Sequence, residues 1–133
     1  MASNMDSRVL EFLKNEKVGC LTVILPDGSP HAAAMHFAHI AEPLAIYFST
    51  HNSTKKVSAS FPTKAALVVG FSEQDWVTVQ MQGTVEKVDE SVAKEALLAK
   101  YPTDAKHFSN ESIFLKFTPG WWRYTDFKTN PVI

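Results

Sequence analysis

Two β-like runs flank the turn at residues 26–30, and this pair constrains the fold more than any other segment. Residues 18–25 are mainly β-branched and apolar, and the Pro-Asp-Gly that follows favours a tight reversal of the chain. Residues 30–40 are therefore predicted to return as the second strand of a hairpin. A third strand is predicted at 45–49, after the turn Glu42-Pro43. Short turns between successive runs indicate an antiparallel sheet.

The remaining chain continues this pattern. Residues 65–71 are continuously apolar, which predicts a strand buried on both faces. Residues 76–88 alternate except at Gly83, which indicates a bulge or a close backbone approach. A final pair of strands is predicted at 113–117 and 122–127, around Pro119-Gly120. Helices are predicted near the N-terminus, capped by Ser3, Asn4 or Asp6, and at 53–61 and 91–101.

These elements predict a mostly β protein with six or seven strands, two or three short helices and a sheet that closes as a small barrel. One domain is expected over residues 1–133. The net charge of −1, from 13 basic and 14 acidic residues, does not give the broad positive field of a nucleic-acid-binding protein. No apolar run approaches the roughly 20 residues that span a bilayer, and no signal-peptide pattern is seen, so a cytoplasmic location is expected.

The segment 49–56, Ser-Thr-His-Asn-Ser-Thr-Lys-Lys, combines hydroxyl groups with two adjacent lysines. Phosphate binds well to hydroxyl and backbone N–H donors, especially at the start of a helix, with cations nearby. The segment therefore indicates a phosphate site, in which Ser53 or Thr54 opens a helix and Lys55 and Lys56 supply charge. The alternative is that Ser53 only caps a surface helix and that both lysines are solvated.

Three successive alanines at 32–34 are unusual in a predicted strand, because alanine leaves much of a pleated surface bare. A flat ligand could approach that backbone, and close packing of strands or subunits explains the run equally well. His31, His36 and His39 are not expected to chelate one metal ion from a regular strand, although His36 could contact a ligand singly. Cys20 lies in an apolar run and is predicted to be a buried structural thiol.

The aromatic segment at 121–124 could stack on a cofactor, line an interface or pack in the core. No G-x-S-x-G, Walker or G-x-G-x-x-G motif occurs, so hydrolase, nucleoside triphosphatase and dinucleotide-binding interpretations have no support.

Four segments together resemble the pyridoxamine 5′-phosphate oxidase-like, FMN-binding split-barrel family, and its small general-stress-type branch in particular. They are VGCLTVILPDGSPHAAAMHF, IYFSTHNSTKK, WVTVQMQGTVEKVDE and FLKFTPGWWRYTDF, and they cover most of residues 18–127. The resemblance implies a split-barrel homodimer with FMN at the subunit interface. It also implies an oxidoreductase with a small-molecule substrate or electron donor, in which the flavin carries the chemistry.

The resemblance further implies a set of cofactor contacts. These are Ala33, Met35, His36, Phe48, Ser49, Thr50, Ser53, Lys55, Lys56 and Gln80, with Trp122 contributed from the partner subunit. Lys55 and Lys56 would lie at the phosphate. His36 and Arg123 are candidates for substrate contact, and no catalytic acid or base stands out.

The chain departs from the vitamin-processing oxidases of this family in two places. Their phosphate-binding arginines in the strand after the hairpin are replaced by HAAAMH at 31–36, and their R-x-H-x-R segment by WRYTD at 122–126. Oxidation of pyridoxamine phosphate is therefore not expected. The alternatives are a non-catalytic flavin-binding or stress-response protein, a barrel that uses haem or a deazaflavin, and an empty barrel that acts through its dimer surface.

Overall fold

The computed structural model describes residues 5–129, which contain two α-helices and seven strands. In chain order these are α1 (Ser7–Asn15), β1 (Val18–Ile24), β2 (Pro30–His36), β3 (Ala38–Ala41), β4 (Leu44–His51), β5 (Thr63–Val69), β6 (Val77–Val88), α2 (Glu90–Lys100) and β7 (Ser112–Asp126). Short 3-10 turns span Lys55–Ser58 and Pro102–His107. Neither helix in this part of the chain is long and apolar enough to cross a membrane.

All seven strands form one antiparallel sheet in the order β2-β1-β5-β6-β7-β4-β3. β2 and β4 come close to each other although they stand near opposite ends of this order. The sheet therefore curls into a split barrel, with a seam between β2 and β4. This confirms the mostly β, antiparallel split-barrel prediction.

The interior of the barrel is filled by one face of each long strand and by α1. Alternate residues of β1, such as Leu21 and Val23, point inward, as the period of two of a strand requires. Val9 and Leu13 of α1 close one end of this core. Asp6 caps α1 by accepting the Arg8 N–H at 2.8 Å, whereas Ser3 and Asn4 lie outside the described residues.

The second helix covers only part of the outer surface. Ala93, Leu97 and the adjacent Tyr101 pack against Tyr47 and Phe114 on the outer face of the β4–β7 side. Among residues 5–129, no helix covers the outer face of β2, β1, β5 and β6. This bare face and the β2–β4 seam are the surfaces on which a ligand or a partner could bind.

Hydrogen bonds from the end of α2 tie the helices to the seam. Lys100 Nζ donates to the carbonyls of Leu13 at 2.9 Å and Glu16 at 2.5 Å, and the Tyr101 hydroxyl donates to the Phe37 carbonyl at 2.6 Å. Burial lowers the pKa of Lys100 to about 8 and raises the pKa of Tyr101 to about 12. The side chains of Lys100 and Tyr101 thus donate to backbone carbonyls and hold the end of α2 in place.

The prediction of one strand over residues 30–40 is wrong. Phe37 is fully buried between β2 and β3, and its N–H donates to the Lys17 carbonyl at 3.2 Å. The chain leaves β1 at this point, and β3 pairs with β4 instead. Burial of one aromatic side chain therefore divides the predicted strand and creates the seam.

The predicted break at Pro119-Gly120 is also wrong, because β7 runs continuously past it. The β6–β7 register shifts at Gln82/Gly83, opposite Pro119. A side chain at Gly83 would collide with the Thr118 carbonyl. The irregularity predicted at Gly83 is thus confirmed, and it is what accommodates a proline within a long strand.

Two further predictions fail. The helix expected at 53–61 is only the 3-10 turn Lys55–Ser58. The apolar strand expected to be buried on both faces is β5, which buries one face, while Lys64 and Ala66 on the other face are exposed.

Candidate functional site

The segment after β4 carries the single buried charged side chain within residues 5–129. Lys56 is only 7% exposed, and no hydrogen bond or ion pair to its ammonium group is found in this part of the chain. Burial lowers the pKa of Lys56, and no neighbouring carboxylate opposes the effect. The ammonium group itself reaches the surface, because no buried side-chain nitrogen or oxygen within residues 5–129 is without a hydrogen-bond partner. Lys56 therefore combines a buried stem with an accessible cation that has no counter-charge, which suits an anionic ligand.

Hydroxyl groups of the same segment are held by short hydrogen bonds. Thr50 Oγ1 and Thr54 Oγ1 lie 3.1 Å apart, and the Thr54 hydroxyl donates to the His51 carbonyl at 3.0 Å. Ser53 Oγ lies 2.7 Å from His51 Nδ1. These contacts order the loop before the 3-10 turn begins at Lys55. The donor set of hydroxyl and ammonium groups fits a phosphate.

The alternative of a simple capped surface helix does not match this geometry. No α-helix follows the segment, and Thr54, which precedes the turn, makes no side-chain capping bond. Lys55 is exposed as that alternative expects, whereas Lys56 is buried.

The segment lies near the turn between β1 and β2. Hydrogen bonds from the Ser29 hydroxyl and N–H hold the pKa of Asp27 below its usual range, and the positive charge of Lys55 contributes to the same shift. β2 starts at this turn, and within residues 5–129 it pairs only with β1, so its other edge is free in this part of the chain. A phosphate at the lysines would thus lie at one end of an open strand edge, which extends about 20 Å to His36.

The residues of β2 that were predicted to contact the cofactor lie on two faces. Ala33 pairs with buried Leu21, and Met35 packs against the barrel core, so both face inward and are partly buried. His36 is exposed on the opposite face, where its ring stacks on Tyr101 at 5.0 Å between centroids. A ligand that lies across the free edge of β2 can reach Ala33 and Met35 as well as His36. A ligand on one face of the strand reaches either the two inward residues or His36.

The residues of β4 that were predicted to contact the cofactor differ in how far their side chains are buried. Phe48 is fully buried in the barrel core, so its side chain serves packing. Ser49 and Thr50 are partly buried and, as successive residues of a strand, point to opposite faces.

Gln80 lies on the bare outer face of the sheet. It stands in one row with Val68, Cys20 and Ala34 across four neighbouring strands, so it is about 14 Å from β2 at the usual strand spacing. Two adjoining depressions of about 200 and 520 Å³ occupy this face, and Thr22 and Ala66 border both. Cys20 borders the smaller one and is partly exposed, so the prediction of a buried thiol is wrong.

The two tryptophans of β7 face opposite sides. Trp122 pairs with buried Met81 and packs against the barrel core of its own chain. Trp121 is exposed and borders the depression beside Gln80. Arg123 pairs with Gln80 in the ladder, and its Nε donates to the Thr125 hydroxyl at 3.2 Å. The role predicted for the partner subunit's Trp122 stays a prediction.

Sequence reasoning missed a contact between Glu111 and the segment 49–56. His51 Nε2 lies 2.5 Å from Glu111 Oε2, and the Asn52 N–H donates to the Glu111 carbonyl at 3.0 Å. These residues are 60 positions apart and meet because the β4–β7 ladder pairs His51 with Ser112. No local pattern signals such a contact.

Comparison with known proteins gives one family match. The protein-family model described as pyridoxamine 5′-phosphate oxidase matches residues 5–126. No curated protein matches the chain in sequence.

Several solved structures are similar to this one. A candidate pyridoxamine 5′-phosphate oxidase from Listeria innocua aligns with a TM-score of 0.73 at 21% identity, over 89% of this chain and 95% of that one. A Clostridium acetobutylicum protein related to general stress protein 26 has a TM-score of 0.69 at 20% identity, over 96% and 90% of the two chains. The haem storage protein HutZ of Vibrio cholerae has a TM-score of 0.71 at 10% identity, over 91% and 94%. At these identities the likeness shows the fold alone.

Proposed function

This chain belongs to the pyridoxamine 5′-phosphate oxidase family, and from that premise we propose that it is an FMN-binding oxidoreductase that acts as a homodimer on a small molecule. The observation that carries the proposal is Lys56, whose stem is buried and whose ammonium group has no counter-charge within residues 5–129, on a loop of hydroxyl groups. A phosphate dianion supplies that counter-charge, which a neutral ligand would not do.

The residues of this chain bind and orient FMN from its phosphate end. Lys56 and Lys55 would pair with the phosphate, and the hydroxyls of Thr50, Ser53 and Thr54 lie on the same loop and would donate to it by leaving the partners they now have. The free edge of β2, where small alanine side chains allow close approach to the backbone, would hold the flavin ring. Bound FMN supplies hydride and electron transfer, while the protein holds the ring and controls access to it.

The bare outer face supports the proposal of a homodimer. Its exposed or partly exposed side chains on β1, β5, β6 and β7 are mostly uncharged near the centre, where Arg123 stands beside Gln80; the uncharged ones are Cys20, Thr22, Ala66, Val68, Gln80, Gln82 and Trp121. An exposed tryptophan and an arginine among uncharged side chains are typical of an interface.

The cofactor is tested by the visible absorption spectrum of freshly purified protein, recorded again after FMN is added and the protein is desalted. A flavin spectrum that stays with the protein is the expected result. A Soret band would replace FMN by haem, as the name of the Vibrio cholerae protein with this fold suggests. A colourless protein that does not retain FMN would refute the cofactor assignment.

The site is tested separately with the double variant Lys55→Ala/Lys56→Ala. It should lose FMN on desalting, whereas the matched variant Lys14→Ala/Lys106→Ala, which removes two exposed lysines elsewhere, should retain it. Retention of FMN by the first variant would show that the phosphate lies at another place. Electron donors are then screened by following bleaching of the flavin band, which separates an oxidoreductase from a protein that only stores the cofactor.

A further inference from the structure

The side chains on the bare outer face of the sheet are sorted by size from one side to the other. The strand registers place outward side chains in two rows that cross β2, β1, β5, β6 and β7 in that order. The first row is Ala34, Cys20, Val68, Gln80 and Arg123, and the second is Ala32, Thr22, Ala66, Gln82 and Trp121. All of them are exposed or partly exposed. Small side chains thus cover β2, β1 and β5, whereas long ones cover β6 and β7.

The chemistry of the two rows is unlike that of a sheet face that stays in water. Such a face usually carries polar and charged side chains at its outward positions. Here Arg123 is the one charged residue in either row, and the middle strand, β5, presents Val68 and Ala66. A surface of this kind is suited to burial against another protein surface.

A second copy of this chain fits the way in which the side chains are sorted. A two-fold interface joins the same patch of both copies, so that patch must be complementary to itself. Two sheets that pack face to face keep their strands nearly aligned. A two-fold axis that lies between the sheets and runs along β5 places β1 on the partner's β6 and β2 on the partner's β7. Each small side chain then meets a long one, while Val68 and Ala66 meet their own copies.

The curvature of the sheet agrees with this axis. Because the sheet curls into a barrel, its outer face is convex, so two such faces touch along the axis and separate toward β2 and β7. The paired side chains become larger in the same direction. They change from two alanines at Ala66, through Thr22 with the partner's Gln82, to Ala32 with the partner's Trp121. The long side chains therefore fill a gap that widens away from the axis.

Other axes fit this face less well. An axis along β7 would bring the two copies of Arg123 together, and an axis along β6 would set Gln80 and Gln82 on their own copies where the convex faces are closest. An axis across the strands would set Trp121 against the partner's Arg123. With the axis along β5, each arginine is two strands from it, so the two guanidinium groups are about 19 Å apart. That separation exceeds the roughly 8 Å screening length of physiological salt.

We propose that a second copy packs on this face about a two-fold axis along β5, with Ala66 and Val68 at the axis; this inference rests on the homodimer of the proposed function. Trp121 and Arg123 of the partner subunit then lie over Ala32 and Ala34. Those alanines belong to β2, whose free edge is the proposed place of the flavin ring. An arginine and a tryptophan from the second chain therefore complete each of the two sites.

The test uses the sign of a charge introduced at the axis. Ala66→Glu and Ala66→Lys each place two like charges together, so each should weaken self-association at least about 100-fold in sedimentation experiments. An equimolar mixture of the two should recover a dimer with one copy of each variant, which native mass spectrometry identifies. Ala99→Glu and Ala99→Lys, at an exposed position of α2, are the matched controls and should dimerise as wild type does.

A position away from the axis tests the register. Ala34 faces the partner's Arg123, so Ala34→Glu should keep the dimer, whereas Ala34→Lys should weaken it at least about tenfold. Equal effects of the two charges at Ala34 would overturn the proposed axis. If the variants at Ala66 do not fold, Val68→Glu and Val68→Lys repeat the test, because Val68 also meets its own copy.

These measurements are made without FMN, and retention of FMN is scored separately on the same proteins. A wild type that dimerises, together with variants at Ala66 that dimerise equally well, overturns the inference and leaves the proposed function standing. A monomeric wild type overturns both the inference and the proposed homodimer. Retention of FMN by that monomer would still support the cofactor assignment.

Discussion

Replacing Lys56 with methionine should make the ligand-free protein more stable and the FMN complex weaker. Methionine keeps an unbranched chain of similar length in the buried surroundings of the stem and removes a charge that has no partner within the described residues. We expect the free energy of unfolding to rise by about 1 kcal/mol, within the range of other stabilising substitutions. For a domain of this size that corresponds to an increase in Tm of roughly 4 °C.

The stability gain should depend on pH in a defined direction. Burial holds the pKa of Lys56 in the folded protein below the 10.5 of the unfolded chain. The cost of charging the folded lysine is therefore fully present at neutral pH and is relieved as the pH rises from the folded pKa toward 10.5. The difference between Lys56→Met and wild type should accordingly shrink in that alkaline range.

The loss of FMN affinity follows from the hydrogen bond that disappears. A hydrogen bond to a charged group contributes about 1.5–3 kcal/mol, so the Kd should rise roughly 10- to 100-fold. Stability is measured by urea denaturation without ligand, and affinity by quenching of flavin fluorescence. Lys55→Met is the matched control, because Lys55 is exposed on the same turn; its stability should stay within about 0.5 kcal/mol of wild type. A Lys56→Met protein that is less stable than wild type yet binds FMN equally well would show that Lys56 has a structural role, and would refute the reasoning.

Three other substitutions test the framework of the site. Tyr101→Phe leaves the buried Phe37 carbonyl without its 2.6 Å donor, so urea denaturation should show a loss of about 1–2 kcal/mol; an unchanged midpoint would contradict this. Gly83→Ala introduces a collision with the Thr118 carbonyl, so its Tm should fall by more than the Tm of Gly28→Ala. The methyl group added at Gly28 meets no neighbour, although the φ of +86° there is unfavourable for alanine. A larger fall for Gly28→Ala would contradict the close approach of β6 and β7 at Gly83. Ala66→Glu places a charge on the bare sheet face, where the proposed dimer would form. Sedimentation should then show a folded monomer that releases FMN, and a dimer that persists would place the interface elsewhere.

The sequence identifies the elements that depend on local chemistry and misses those that depend on distant contacts. The hairpin at Asp27 and the irregularity at Gly83 are signalled by turn residues and by a break in alternation, and both are found. The division of the chain at Phe37 is set by burial of that side chain in a core to which α1 and β4 contribute. The continuity of β7 through Pro119 is likewise set by its partner strand.

The candidate site shows the same limit. Lys55 and Lys56 stand out because lysines and hydroxyls are contiguous in the sequence, but nothing local shows that one lysine is exposed and the other buried. The assignment of Ala33, Met35 and His36 to one ligand treats neighbours in a strand as though they shared a face. Glu111 reaches the loop only through the register of β4 with β7.

The apolar run of β5 connects the failed prediction with the proposed assembly. Residues 65–69 read as a strand buried on both faces, yet within one chain Ala66 is exposed and Val68 only partly covered. A strand that is apolar on both faces but covered on one face only has an exposed apolar surface, and such surfaces mark sites where another molecule binds. The same face carries Gln80, which the resemblance places at the flavin. If a second copy covers it, the pattern read from the sequence describes the dimer, and the cofactor site is complete only when two chains meet.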